Sequence, residues 1–278
     1  MPVPPVAASP VAAPTASLLL DRPFLFVGVL HLLPLPAGPG PSLGFSAVRD
    51  RALADAEALA RGGAHAAIIE NFGDAPFPAG PVDPHVVAFV AALGVEVQRA
   101  FPGLGLGINL LRNDARAALG VAAAIGAAFL RVNVHTGAMV TDQGLLQGEA
   151  AATLRYRHAL GSSALLAADV LVKHAVPLAA QEIGNVAADT FRRGRADVLI
   201  VTGEGTGRPA DPGRVRRVRE VVPEAPVWVG SGVTLGSASR WRQEAQGAII
   251  GTALHEGGDV RAPLERARVR EMAAALGV

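Results

Sequence analysis

The chain has 278 residues, half of them hydrophobic, with a formal net charge of +1 and no cysteine. That length supplies a core for one large domain, and the near-neutral balance argues against a nucleic-acid-binding face, which shows as a basic excess or stripe. Without cysteine there are no disulfides, thiolate metal sites or cysteine nucleophile, and no apolar run approaches the roughly 20 residues of a membrane helix.

Residues 1–21 are rich in proline and alanine and lack the basic start of a secretory signal; they read as a disordered tail before a single domain over 22–278. The cytoplasm is the default compartment for such a disulfide-free chain. From Pro23 onward, short apolar runs alternate with helical stretches at a spacing of about thirty residues. Strands are predicted at Phe24–His31, Ala66–Glu70, Leu104–Leu110, Phe129–Val134, Leu165–Lys173, Val198–Thr202, Val227–Gly230 and Ala248–Gly251. Their near-continuous Val, Ile, Leu and Ala content suits parallel strands covered on both faces.

Helix starts lie between them. Asp83-Pro84 and Asp211-Pro212 each place a capping Asp before a proline at the first helical position. Asn113-Asp114 and Pro263 make similar starts, and Gly62-Gly63, Gly126 and Gly194 mark helix ends. The arginines 214, 216, 217 and 219 read as a solvated helix face. Eight strand–helix units over roughly 255 residues match the α/β architecture of a (β/α)₈ TIM barrel in count and length. An open doubly wound sheet is the alternative, but HLLPLPAGPG after the first strand lacks the dinucleotide fingerprint.

A barrel gathers its strand ends on one rim, where such folds place their sites. The polar residues are concentrated there: His31 after strand one; Glu70, Asn71 and Asp74 after strand two; Asn109 and Arg112 after strand three. Strand four brings Arg131, Asn133 and His135, which share one parity and so leave one face. A loop with Asp142 follows, and strand five carries Asp169, Lys173 and His174. Lys173 is the single lysine among 25 basic residues; an ammonium there suits either a Schiff base or electrostatic binding of an anion.

Two chemistries are expected of this rim. A phosphate site is predicted at Gly230, Ser231, Gly232 and Thr234 after strand seven and at Gly251 and Thr252 after strand eight. Barrels commonly bind phosphate with these loops, because glycines let backbone N–H groups converge on an anion and hydroxyls add donors. The same glycines also suit plain tight turns. Thr202, ahead of Gly203, Gly205 and Gly207, can widen the site. Facing it, Glu70, Asp74, His135, Lys173 and His174 are the acid–base candidates, with His31, Asn71, Asn109, Arg112, Asn133, Asp142 and Thr202 as further ligand contacts. Glu70 is equally suited to pair with Arg112 or Arg131, and Asp169 beside Arg131 suits a buried ion pair. Adjacent residues of a strand point to opposite faces, so only one of Lys173 and His174 is expected in the mouth. No cofactor is predicted; Glu70, Asp74, His135 and Asp142 offer oxygen-rich ligation for Mg²⁺ or Mn²⁺, without a compact ligand motif. His158 and His255 read as surface or packing residues.

GVLHLLPLP (28–36), ENFGDAPF (70–77), GINLLRNDA (107–115), RVNVHTGAMVTDQGLLQG (131–148) and LRYR (154–157) resemble the signature blocks of the BtpA family. DVLVKHAVPL (169–178), VTGEGTG (201–207), GSGVT (230–234) and IIGTAL (249–254) continue the resemblance, over roughly residues 24–270. It implies a TIM barrel akin to the ribulose-phosphate-binding group, and carries over no catalytic residue. The family takes its name from photosystem I biogenesis, and is similar to SgcQ-type proteins found beside sugar-utilisation genes. Two functions follow: an enzyme on a phosphorylated small molecule of sugar-phosphate or nucleotide-derived type, and a non-catalytic assembly or stability factor. A symmetric homo-oligomer is the base-rate expectation.

Overall fold

The structure, a computed structural model, describes residues 16–278 except Ser42 and Glu204. The eight parallel strands are β1 (Leu25–His31), β2 (Ala66–Glu70), β3 (Gly105–Asn109), β4 (Phe129–Val132), β7 (Leu165–Asp169), β9 (Val198–Val201), β10 (Val227–Val229) and β11 (Gly247–Ile250). They close in that order, with β11 hydrogen-bonded back to β1. Each lies at the expected place in the chain, and the fold is a (β/α)₈ barrel.

The outer layer comprises α2 (Phe45–Gly62), α3 (Pro84–Ala100), α4 (Ala115–Ile125), α5 (Ala150–Ala159), α6 (Ile183–Ala188), α7 (Pro212–Val221), α8 (Leu235–Glu244) and α9 (Arg266–Leu276). Local chemistry starts and stops several of them. The Asp114 side chain accepts the Ala117 N–H at 2.8 Å and caps α4, and Asp211 accepts that of Gly213 at 2.8 Å before α7. At Asp83 no side-chain cap forms, and the proline at the first helical position alone sets the start of α3. The last helix begins at Arg266, three residues beyond the expected Pro263. On α7, Arg216 and Arg217 pair with Glu244 and Glu182 at 3.3 and 2.8 Å.

Alternation along each strand divides the core in two. Outward residues such as Phe26, Ile69, Ile108 and Leu166 pack under the helices. Inward residues, among them Val27, Ile68, Phe129, Ile200, Trp228 and Ile249, fill the barrel, with Phe129 edge-on to Trp228 at 5.5 Å between centroids. Trp241 is buried in the outer layer, so both tryptophans serve packing.

Two segments depart from expectation. Within the stretch expected as a tail, α1 (Ala16–Leu20) is helical, and its Leu19 is buried among the inward residues at the N-terminal end of the barrel. Residues 1–15 lie outside the described region. The segment after β4, expected as a loop running into a helix, is a β-hairpin of β5 (Ala138–Thr141) and β6 (Gly144–Gln147). It takes β8 (Ala175–Pro177) as a third antiparallel strand. Met139 and Leu146 face inward onto Val134 and Val172, which gives this small sheet its own core. Among the described residues no helix is long and apolar enough to cross a membrane.

Candidate functional site

The inward parity of each strand delivers a residue at or just beyond its end to the mouth. Register places His31, Glu70 and Asn109 side by side on β1, β2 and β3. Arg131 and Asp169 continue the ring on β4 and β7, with Thr202 and Gly230 just beyond the ends of β9 and β10 and Gly251 just beyond β11. A cavity of about 150 Å³ lies within this ring, lined by His31, Glu70, Arg131, Lys173, Thr206 and Gly207 on one side. The segments Gly230–Thr234 and Gly251–Ala253 line the other. Its volume is below the roughly 300–1,000 Å³ of pockets for drug-sized ligands and suits a compact one.

The glycine-rich loops after β10 and β11 close one wall of this cavity. The Ser231 hydroxyl is buried and has no hydrogen-bond partner among the described residues, an arrangement that normally waits for a ligand or water. Gly232 has φ of 64°, and a Cβ there would stand 2.3 Å from the Pro209 backbone. At Gly251 a Cβ would strike the His31 ring at 2.7 Å, so both positions need glycine for the loops to close on the cavity. Thr234 belongs to a different device: it caps α8, its backbone N–H donating to Ser237 Oγ at 3.0 Å.

The ionisable side is shaped by burial. Arg131 and Asp169 form the expected buried ion pair at 3.0 Å, and Asn133 Nδ2 donates to Asp169 at 2.7 Å. Glu70 pairs with neither arginine considered for it; its Oε2 stands 3.5 Å from His31 Nε2. Lys173 reaches the mouth because β7 has already ended at Asp169, so strand parity no longer applies. Its backbone is pinned on both sides: the Lys173 N–H donates to Thr202 Oγ1 at 3.2 Å, and Arg112 donates to the Lys173 carbonyl at 2.8 Å. Burial, aided by Arg131, pulls the Lys173 ammonium below the usual lysine range, while Glu70 and Asp169 oppose the shift. His174 lies on the exposed rim, where its Nε2 accepts the Thr206 N–H at 3.1 Å; burial lowers its pKa and the Lys173 charge adds to this.

Other predicted residues are turned to structural use. The carboxylate of Asp74 accepts the Leu35 N–H at 2.8 Å and the Asn71 amide at 3.3 Å. It thereby fastens the Leu32–Pro36 segment, whose Leu32 and Leu35 are core residues. Asn71 Oδ1 accepts the Leu111 N–H at 2.8 Å, and Asn109 Nδ2 donates to the Arg131 carbonyl at 3.0 Å. Asp142 is exposed at the hairpin tip, where Gln143 donates to it at 2.5 Å.

His135 is not in the mouth. Regular strand geometry stops at Val132, and the chain turns so that His135 Nε2 meets the Gly194 carbonyl at 2.8 Å outside the barrel wall. There it lines a second cavity, of about 810 Å³, between the first turns of α5 and the segment 189–195. Apart from His135, that groove holds none of the strand-end groups, which gather at the smaller cavity. Among the described residues no group of three or more His, Asp or Glu comes together to hold a metal ion. Glu70, Asp74, His135 and Asp142, the set considered for Mg²⁺ or Mn²⁺, are dispersed.

One residue of the site was assigned only a surface or packing role from sequence. His255 is fully buried behind the mouth, its Nε2 3.0 Å from His31 Nδ1. The available signal was its position four residues after Gly251, on the eighth strand-end loop.

The fold is shared with solved structures of low sequence identity. The barrel is similar to 7,8-dihydropteroate synthase from Vibrio fischeri, at a TM-score of 0.58 and 14% identity, covering 93% of this chain and 94% of that one. It is also similar to thiamine phosphate pyrophosphorylase from Pyrococcus furiosus, at 0.54 and 14%, covering 93% and 98%. Sequence relatives are nearer. A protein of Synechocystis sp. named Photosystem I biogenesis protein BtpA is 42% identical over 243 residues, 87% of this chain and 84% of that one. An uncharacterized protein of Archaeoglobus fulgidus is 41% identical, covering 88% and 96%. The BtpA family model matches residues 23–277, and the chain belongs to the BtpA family.

Proposed function

We propose that this protein is an enzyme acting on a phosphorylated small molecule, a sugar phosphate or a nucleotide-derived compound, in a reaction of isomerase, lyase or hydrolase type. The phosphate is held by Gly230, Ser231, Gly232, Gly251 and Thr252, while Glu70 and Lys173 handle protons across the cavity. The observation that carries this reading is that one small cavity is lined by both sets, with a buried, unpartnered Ser231 hydroxyl among them. Two proteins of the same fold bear names that specify phosphorylated compounds, thiamine phosphate pyrophosphorylase and phosphoribosyl anthranilate isomerase. That is support by fold alone. The disulfide-free composition suits a reducing compartment such as the cytoplasm.

Thermal unfolding with inorganic phosphate and with a panel of phosphorylated metabolites, each with and without EDTA, is the direct test. Stabilisation by a ligand bound to the native state follows from mass action; a panel with no stabilising member overturns the reading. The EDTA arm reports any need for Mg²⁺ or Mn²⁺.

The name of the Synechocystis relative supports a second reading, a non-catalytic assembly factor. That reading requires folded Glu70→Gln and Lys173→Met variants to retain the cellular role, whereas the enzyme reading requires them to lose it.

A further inference from the structure

A buried hydrogen-bonded chain runs from the outer helix layer into the mouth. Asp55 on α2 is buried; its Oδ2 accepts from Arg51 Nε at 2.7 Å and its Oδ1 from the Leu264 N–H at 2.9 Å. Arg51 donates to the carbonyls of Arg261, at 3.0 Å, and Ala262. The Ala262 carbonyl also lies 2.7 Å from His255 Nδ1. His255 Nε2 is 3.0 Å from His31 Nδ1, and His31 Nε2 is 3.5 Å from Glu70 Oε2.

With both rings neutral, the direction of each bond follows. A carbonyl only accepts, so His255 carries its hydrogen on Nδ1, and the neutral ring then offers only a lone pair at Nε2. That lone pair needs a donor, which makes His31 Nδ1 the donor and leaves the lone pair of His31 on Nε2. Nε2 and Glu70 Oε2 are then two acceptors side by side at the cavity wall, arranged to converge on one donor.

The geometry points to His31 as a proton acceptor aimed into the mouth, with His255 as the positioning residue that keeps His31 Nε2 unprotonated. The inference rests on the reading of the mouth as a catalytic site. In the step it describes, His31 Nε2 forms a bond to a proton as the ligand's O–H or C–H bond breaks, and the electron pair stays on the ligand. The imidazolium faces the Glu70 carboxylate while its Nδ1–H continues to donate to His255. Return of the proton from Nε2 to the ligand restores the neutral ring.

The surroundings favour the neutral form of both rings. Burial pulls His31 well below the ordinary histidine range, and His255, Lys173, Arg51 and Arg131 push the same way; the Glu70 carboxylate faces it. Burial and Arg51 lower His255 too, against the pull of its Ala262 hydrogen bond, Asp55 and Asp259.

The test is a two-bond ¹⁵N–¹H correlation spectrum of the full chain labelled at histidine, at pH 7, with His31→Gln identifying the His31 signals. We expect a pyrrole-type Nδ1 and a pyridine-type Nε2 for His31. A pyrrole-type Nε2, an imidazolium or an averaged pair of signals overturns the inference. His255→Phe should give averaged signals for His31, and His255→Gln, whose side-chain oxygen can accept from Nδ1, should restore the single tautomer. Retention of the tautomer in folded His255→Phe overturns the positioning role; should that variant not fold, averaged signals in His255→Gln do so. No ligand is needed, so failure of phosphate binding would overturn the anion-site reading and leave this result standing.

Discussion

The guanidinium of Arg131 and the carboxylate of Asp169 meet at 3.0 Å across neighbouring strands, with neither side chain reaching solvent. Arg131 of this pair lines the cavity together with Glu70 and Lys173. Desolvation makes such a pair a weak stabiliser as a whole, but removal of one partner leaves the other charge buried. Asp169→Ala should therefore cost about 3–5 kcal/mol in urea unfolding. The double variant Arg131→Met with Asp169→Leu should lose less than Asp169→Ala alone; an equal or larger loss would show that the pair is net stabilising.

Ser231→Ala should separate ligand binding from stability. Its hydroxyl has no partner among the described residues, so the unliganded unfolding temperature should stay where it is. Phosphate binding should weaken by about ten- to a hundredfold, the worth of one hydrogen bond to a charged acceptor. Unchanged affinity, read by calorimetry, would remove Ser231 from the anion site.

His135 and Lys173 should behave oppositely. His135→Ala is expected to cost about 2–4 kcal/mol through the lost Gly194 hydrogen bond and the space left in a packed region, with phosphate affinity retained. Lys173→Met should keep stability and lose phosphate affinity, together with much of its salt dependence. A reversal of these two outcomes would move the site to the groove outside the barrel.

Acid should destabilise the fold through its histidines. The Nδ1 of His65 accepts the Phe26 N–H at 3.1 Å, and burial, helped by Arg22, lowers its pKa to about 4. A base with a depressed folded pKa is protonated first in the unfolded chain. Stability is thus intact above pH 6.5 and falls as the pH drops toward 4. His31, His135 and His255 shift in the same direction. Urea midpoints should decline from pH 7 to pH 5, and His65→Asn, which keeps an acceptor at the Nδ1 position, should flatten the decline.

The barrel and most of its mouth were legible in the chain itself. Near-continuous Val, Ile and Leu runs separated by capped helices specify parallel strands, and a two-residue side-chain period points His31, Glu70, Asn109, Arg131 and Asp169 inward. Such parity arguments hold only while a strand lasts. β4 stops at Val132, so Asn133 still reaches Asp169 while His135 leaves for Gly194. β7 stops at Asp169, so Lys173 enters the mouth with its carbonyl accepting from Arg112 and its N–H donating to Thr202, residues far away in the chain.

The hairpin over 138–147 had a local signal in the turn at Asp142, Gln143 and Gly144 between two short apolar runs. Its third strand, β8, comes from a different loop and had none. Sequence alone thus determined the architecture and the end groups of the strands, because periodicity and caps are local properties. Tertiary structure decided which ionisable groups share the cavity and how they are wired. The contact between His31 and His255 joins residues 224 apart, and only closure of β11 onto β1 brings them together.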